Sequence, residues 1–502
     1  MKSLRQPAPR ALGSIFSCLV VLALTLPGLR AADITWSGAI GDWNTPSNWG
    51  GTVPGLSDDA AINNGGTAQL SGNGSANSLT LGNNDGENGA LQLSVGANLT
   101  VANTLNVGGY TGTGTGSVTQ TGGSLTADTI RIGVTTGSSG TFALSGGSVN
   151  AGTIVVGDYG AGNLTVSGPA TIAAGGSLIV ASKASGTLGQ NGGTVTVGGY
   201  FGVATTSGSI TGTYNLTSGT LIMATDNDAE LGSVGQAHLN LGSAAGGAVT
   251  ISQSGGGAGR NLTVRADASA AAQVNGYGTV GLTGNLTNNG RVVADGYSTA
   301  DRTLDLASFS SVANDIENPV TGGTNGWFAQ NRGRLTLAPL AISAGDSAQN
   351  WGESSADAMI DLINSARLVF NDISTGGTVA LSLLASDRGD IPAGLPGTAI
   401  GLWQVTTGGG FAFGGGNLTA TFRFDDLAAG SSTPQLFAWN GGSWADITAS
   451  LDTTNKLITS QATDSTAVFA VVVPEPASAT LCLVSLGGLM AFRRIRRGGR
   501  LG

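Results

Sequence analysis

Gly140-Thr-Phe-Ala-Leu-Ser-Gly-Gly-Ser-Val-Asn-Ala-Gly-Thr-Ile-Val-Val-Gly157 decides the fold of this chain, because the segments on either side of it repeat its pattern. Openings of the same kind stand at Gly116-Ser-Val, Gly140-Thr-Phe, Gly162-Asn-Leu, Gly186-Thr-Leu and Gly212-Thr-Tyr, separated by 24, 22, 24 and 26 residues. A second series keeps step with the first: Val107-Gly108, Ile132-Gly133, Val156-Gly157, Val180-Ala181 and Val203-Ala204, at spacings of 25, 24, 24 and 23. Two phased series at one period identify a repeat architecture. Within each unit, apolar residues alternate with Thr and Ser, Gly-Gly pairs permit corners at positive φ, and no window carries a helical apolar stripe. About 24 residues at roughly 3.3 Å per strand residue make one coil of a β-solenoid. Stacked coils pair their strands in parallel and bury Val, Ile and Leu inside.

The composition agrees with extended β structure. Of 502 residues, 85 are glycine and only 10% are charged, and no Gly-X-Y period suggests collagen. The regular repeats, residues 107–224, hold four charged side chains: Asp128, Arg131, Asp158 and Lys183. Between Asp33 and Val473 there are 12 Lys and Arg against 29 Asp and Glu, a net of −17 without a basic stripe, which argues against nucleic acid as a partner. The two cysteines, Cys18 and Cys482, lie in terminal apolar runs, so no disulfide is expected in the body. A single histidine, His238, leaves no basis for Ser-His-Asp chemistry or a multi-His metal site. No catalytic residue, cofactor site or metal site is assigned.

From the N-terminus, Lys2, Arg5 and Arg10 precede an apolar run from Leu12 to Leu26 and the small pair Ala31-Ala32, the pattern of a secretory signal peptide over residues 1–32. Trp36, Trp43 and Trp49 follow immediately. A solenoid end exposes an unpaired rung, so these rings are expected to cap the first coil; the competing reading is an aromatic platform for sugar rings. Six Asn-Leu-Thr triplets, beginning at Asn98, Asn163, Asn215, Asn261, Asn285 and Asn417, read as strand corners, although formally they are glycan acceptors. The segment Asn83–Asn88 and the pair Asp226 and Asp228 carry oxygen ligands but match no full calcium loop. After Ala224 the repeats become irregular, and Ala356 to Ile363 reads as one short helix. From 368 to 473 aromatics return in short alternating runs, with Asn440-Gly441-Gly442 as a hairpin signal, and this stretch reads as a β-sandwich.

The expected fold is therefore all-β: a parallel β-helix over residues 33–350 with a Trp-rich cap, a small antiparallel sandwich over 368–473, and a tail over 474–502. That tail is Val473-Pro-Glu-Pro-Ala477, sixteen apolar or small residues from Ala477 to Phe492, and then Arg493, Arg494, Arg496, Arg497 and Arg500. A helix of this length with snorkelling arginines can span a bilayer, and its positive flank is expected to stay cytoplasmic.

The order of these three parts resembles the PEP-CTERM sorting signal of Gram-negative bacteria. The resemblance implies that an exosortase recognises Pro474, Glu475 and Pro476, that the helix and its arginines hold the chain transiently in the inner membrane, and that the product reaches the cell surface or an extracellular polymer matrix. The body is similar to large PEP-CTERM proteins with autotransporter-type β-strand repeats, including the tryptophan-rich opening, but it lacks a C-terminal translocator barrel. The expected role is a non-enzymatic structural or adhesive element in an exopolysaccharide layer. Two alternatives compete with it. One is a polysaccharide lyase or hydrolase centred on Asp267, Asp295, Asp301, Arg302 and Asp305, and the other is a carbohydrate-binding sandwich using Trp439 and Trp444.

Overall fold

A computed structural model of the chain describes residues 32–474, apart from 225–227, 256–258, 266–271, 298, 300, 314–326, 352–364, 425–428, 430–431 and 465–467. The signal-peptide segment, the expected helix at 356–363, Asp226, Asp267, Glu475, Pro476 and the arginine cluster lie outside the described residues.

The protein is all-β, with a β-solenoid of about ten turns and almost no helix. Each turn contributes one strand segment to each of three parallel ladders. The first ladder shows why the second sequence series exists. Leu81, Val107, Ile132, Val156, Val180, Val203, Leu231 and Val264 occupy one register position on successive coils. All eight are fully buried. Each such side chain contributes roughly 1.5–3 kcal/mol by leaving water, so the column sets the register of the whole stack.

The glycine series forms the second ladder, with Gly116, Gly140, Gly162, Gly186 and Gly212 in register. They must be glycine because the strand opens directly against the corner of a coil. A Cβ on Gly140 would sit 2.2 Å from the Val107 carbonyl oxygen and 2.6 Å from the Gly133 nitrogen. The corner residues themselves are left-handed, including Gly157 at φ 77°, Ala181 at 63° and Ala204 at 53°. Two alanines can stand there because their Cβ atoms are completely buried, which offsets the roughly 1–2 kcal/mol that the conformation costs.

Polar residues interrupt the apolar interior at Gln120 and Gln190, both buried in a column that otherwise holds Leu93, Leu144, Val166 and Leu216. Gln190 Nε2 donates to the Gly193 and Thr220 carbonyls at 3.1 Å each, and its amide oxygen accepts from the Tyr214 hydroxyl. Gln120 likewise donates to Ser148 O at 3.0 Å. These amides place their N–H groups on backbone carbonyls, so the buried side chains are hydrogen-bonded within the stack.

Past Ala224 the same stack continues. Ala229–Leu231, Leu262–Val264, Asn285–Asn288 and Ser311–Ala313 extend one ladder in parallel register. Gln236–Leu241, Gln273–Gly276, Arg291–Asp295 and Trp327–Asn331 extend another. The irregularity seen in the sequence is loop length, not a change of fold.

Parallel pairing ends at Arg334–Thr336, which meets Gly377–Leu384 in antiparallel register, Leu335 opposite Leu383. The changeover thus precedes residue 350, and Gly345–Trp351 already pairs antiparallel with Ala366–Thr375. Gly377–Leu384 leads a sheet that continues through Gly397–Gly408, Val468–Pro474, Gln435–Trp439 and Trp444–Asp446. A second sheet holds Gly345–Trp351, Ala366–Thr375, Leu418–Arg423, Leu457–Ser460 and Thr448–Asp452, with Ala412–Phe413 at one side. Between the two lie Trp403, Phe422 and Phe469; Trp403 stacks on Phe422 at 4.4 Å between ring centroids. The first of these sheets is continuous with the solenoid, so its edge strand covers the last rung and removes an open template for aggregation.

The opposite end is closed by the tryptophans. Trp36, Trp43 and Trp49 are buried, with edge-to-face contacts of 4.9 Å between Trp36 and Trp49 and 4.7 Å between Trp43 and Trp49. The short 3₁₀ turn Pro46–Trp49 places the third ring, and its Nε1 donates to Trp43 O at 2.7 Å. No face of these rings is open to a sugar, so the cap reading describes them and the platform reading does not.

Of the six Asn-Leu-Thr triplets, Asn98 and Asn285 open strands, and Asn261 and Asn417 immediately precede them. The corner expectation is corrected at Asn163 and Asn215, which lie within strands. At Asn215 a side-chain amide from the next coil is bonded, Asn240 Nδ2 donating to Asn215 Oδ1 at 2.8 Å.

Candidate ligand-facing surface

After each left-handed corner the chain leaves the stack as a short loop before entering the next face. Two residues past Gly108, Gly133, Gly157, Ala181 and Ala204 stand Tyr110, Thr135, Tyr159, Lys183 and Thr206. Because the corners are in register, these five form a vertical row on the outside of the solenoid. Tyr110 and Tyr159 are exposed, at 54% and 46%, and sit two coils apart with Thr135 between them. The space between the rings is a notch of about 340 Å³ lined by Tyr110, Arg131, Val134, Thr135, Thr136 and Tyr159.

The notch is held from several sides. Arg131 Nε donates to Asp158 Oδ2 at 2.5 Å, and Nη2 of the same guanidinium contacts that oxygen too. Asp158 is buried and fixes the arginine head, whose side chain stays partly exposed. Lys183 places its ammonium 5.4 Å from the Tyr159 ring centroid, on the next coil, which steadies the ring from the side away from Tyr110. The floor is tied by Thr135 Oγ1, which donates to Gly112 O, and by Thr135 N, which donates to Ser138 Oγ at 3.1 Å.

A second groove of about 550 Å³, lined also by Leu70 and Leu93, runs along the column Asp42, Gln69, Gln92 and Thr119. Gln69 Nε2 donates to Gln92 Oε1 at 3.0 Å, so its amides are partly used on each other.

Of the residues considered as an enzyme centre, the three described carboxylates each accept a backbone N–H. Asp295 accepts from Tyr297 N at 2.7 Å, Asp301 from Gly389 N at 3.2 Å and Asp305 from Ala307 N at 3.0 Å. Arg302 donates to Ser243 O at 2.7 Å and lies 4.4 Å from the Tyr277 ring centroid. His238 Nδ1 is 2.7 Å from Gln273 Nε2, and burial holds its pKa below the usual value. The candidate calcium loop is likewise bonded within the protein: Asp85 Oδ1 accepts from Thr113 N at 2.7 Å, which lowers its pKa, and Glu87 accepts from Asn84 N at 2.9 Å. Among the described residues no group of three His, Cys, Asp or Glu side chains gathers to hold a metal. Trp439 and Trp444 pair across their hairpin at 5.7 Å, and Trp444 Nε1 donates to Pro392 O at 3.1 Å, so both rings pack against the sheet.

Pro474 ends the strand Val468–Pro474 opposite Gly397, at the point where the sequence changes to the apolar tail. Among the described residues no helix is long and apolar enough to cross a membrane.

Sequence reasoning missed Tyr110 and Tyr159. The signal was present, since both stand two residues after a corner glycine and are 49 residues apart, two periods of the repeat. Neither residue shows as special until the stack puts the rings on one line.

Two other tyrosines titrate unlike exposed ones. Burial pushes the Tyr200 hydroxyl from 10.0 up to about 12, and its bond to Glu230, 2.9 Å from the hydroxyl, acts in the same direction. Tyr214, completely buried, is also pushed upward by burial. A folded-state pKa above the unfolded value means that this contribution to stability is complete below pH 10.0 and is lost as the pH rises through about 12. An alkaline titration is expected to show tyrosinate absorbance from Tyr214 only together with loss of the near-ultraviolet circular dichroism. Ionisation of all six tyrosines ahead of that loss would contradict the burial.

No protein-family model, no curated protein and no solved structure matches this chain.

Proposed function

We propose that the chain is an exported, non-enzymatic structural or adhesive protein, delivered through its PEP-CTERM-like tail to the cell surface or an exopolysaccharide matrix. The observation that carries this reading is the long stack of coils with a weakly charged outer wall, placed between an export-type leader and a sorting-type tail. A solenoid of this kind is a stiff rod whose length follows from coil number, which suits spacing or coating. Weak surface charge and rows of Thr, Ser and Asn suit contact with a hydrated polymer. In this proposal an exosortase is the processing partner, Pro474, Glu475 and Pro476 are the residues it reads, and Arg493, Arg494, Arg496 and Arg497 retain the tail at the inner membrane. The use of Asp295, Asp301 and Asp305 as acceptors for backbone N–H groups favours this role over hydrolysis or elimination.

The test is the mass and location of the mature protein in cells, for the native chain and for a variant with Pro474, Glu475 and Pro476 all changed to alanine. The native chain is expected outside the inner membrane without its last residues, and the variant is expected full-length in that membrane. If both chains remain whole in the membrane, the sorting role is wrong and the tail is only an anchor.

A further inference from the structure

We propose that the notch between Tyr110 and Tyr159 is a binding subsite for one pyranose ring of an uncharged polysaccharide. The proposal deepens the matrix role by naming a place where polymer is held, and it rests on that role only for the source of the polymer.

Three features converge on this ligand. The first is spacing. Strands in a ladder lie about 4.8 Å apart, so equivalent positions two coils apart are separated by about 9.5 Å. A puckered six-membered ring with carbon contacts of about 4 Å to an aromatic on each side fills that interval, whereas a flat aromatic ligand leaves it loose. The second is amphipathic matching. A pyranose presents C–H groups on its two faces and hydroxyls around its rim. The notch presents two tyrosine rings as walls and the Arg131 guanidinium and the exposed Thr136 hydroxyl between them. The third is charge. Arg131 is the one charged residue lining the notch, and its guanidinium is already neutralised by Asp158. The notch therefore offers donors without calling for an anion, which favours a neutral sugar over a uronate or a phosphate.

The rings are also prepared in advance. Val134 and Thr135 form a floor tied to neighbouring loops, and Tyr159 is steadied by Lys183, so little ordering accompanies binding. Tyrosine suits this use because a large contact area is fixed by only two side-chain torsions.

The experiment is affinity electrophoresis of the purified full chain in gels holding dextran, hydroxyethylcellulose or galactomannan, with a gel holding the uronate polymer alginate for comparison. At least one neutral polymer is expected to retard the native chain more than alginate does. Tyr110→Ala and Tyr159→Ala are each expected to weaken that retardation about tenfold, while Tyr110→Phe and Tyr159→Phe retain most of it because the ring faces remain. Native-like circular dichroism of the alanine variants separates loss of the site from loss of the fold. Val95→Ala, at an exposed residue remote from the notch, serves as a control and is expected to bind like the native chain. Absence of retardation in all three neutral gels, stronger retardation by alginate, or retardation that survives both alanine substitutions would overturn the proposal. Because the assay uses purified protein, it is independent of sorting. A chain that binds polymer but is never released from the membrane would sink the sorting role and leave the subsite standing.

Discussion

Changing Trp43 to alanine is expected to destabilise the protein by about 4 kcal/mol, in the range found for emptying a large aromatic site in a packed core. Trp43 has no solvent exposure, its ring meets Trp49 at 4.7 Å, and its carbonyl anchors the Trp49 indole N–H. The position in the stack decides how the loss is felt. Each coil contacts mainly its neighbours, so removing the end packing frees the first coil before the rest. Hydrogen exchange is expected to lose protection first in Asp59–Ile62 and Thr67–Leu70, the strands directly beneath the first rung. With that rung loosened, an open parallel edge faces solvent, and the variant is expected to self-associate in proportion to its concentration. Trp43→Phe keeps part of the packing and should lose clearly less. An unfolding midpoint in urea that moves by less than the equivalent of about 1 kcal/mol would show that the three rings do not hold the end.

The second large effect concerns a residue with no side chain. Gly140→Ala is expected to cost about 3 kcal/mol, because the added methyl would lie 2.2 Å from Val107 O and 2.6 Å from Gly133 N, both backbone atoms. A flexible side chain can step aside from such a contact, but a hydrogen-bonded corner cannot. Gly189→Ala is the matched comparison. It lies in the strand Gly186–Val197 with nothing within 4 Å of the new Cβ, so it should gain roughly 0.5–1 kcal/mol by restricting the unfolded chain. The two substitutions are chemically identical and lie two coils apart in the same ladder of the solenoid, so opposite signs in urea unfolding isolate the close approach at the corner. Equal effects from the two would mean that the glycine column reflects composition and not geometry.

The tyrosine notch shows where sequence reading stops. Its walls are two exposed aromatics 49 residues apart, and between them in sequence lie Val118, Leu125, Ile130 and Phe142, all buried. Nothing local distinguishes Tyr110 or Tyr159 from an ordinary surface tyrosine. The lower boundary of the solenoid was hidden for a related reason. Past Ala224, Val203 pairs with Leu231, Leu231 with Val264 and Val264 with Asn288, so the spacing becomes 28, 33 and then 24 residues. Pairing needs only three to five residues on each face, and the loop between faces can lengthen at a cost that grows only with the logarithm of its length. The ladder survives while the period that would reveal it is lost.

By itself, the sequence determined the period, the glycine corners, the inward column from Val107 to Val203 and the tryptophan cap. Each of these is enforced within one coil or between adjacent coils, by steric exclusion at a corner or by burial of an alternating face. The tertiary structure decided that the stack runs on to Arg334–Thr336 and that an antiparallel strand at Gly377–Leu384 seals its last rung. It also brought Tyr110 and Tyr159 together around Arg131 and Thr136. These depend on pairings between residues far apart in the chain, where hydrogen bonding to a neighbouring coil, not local pattern, selects the partner.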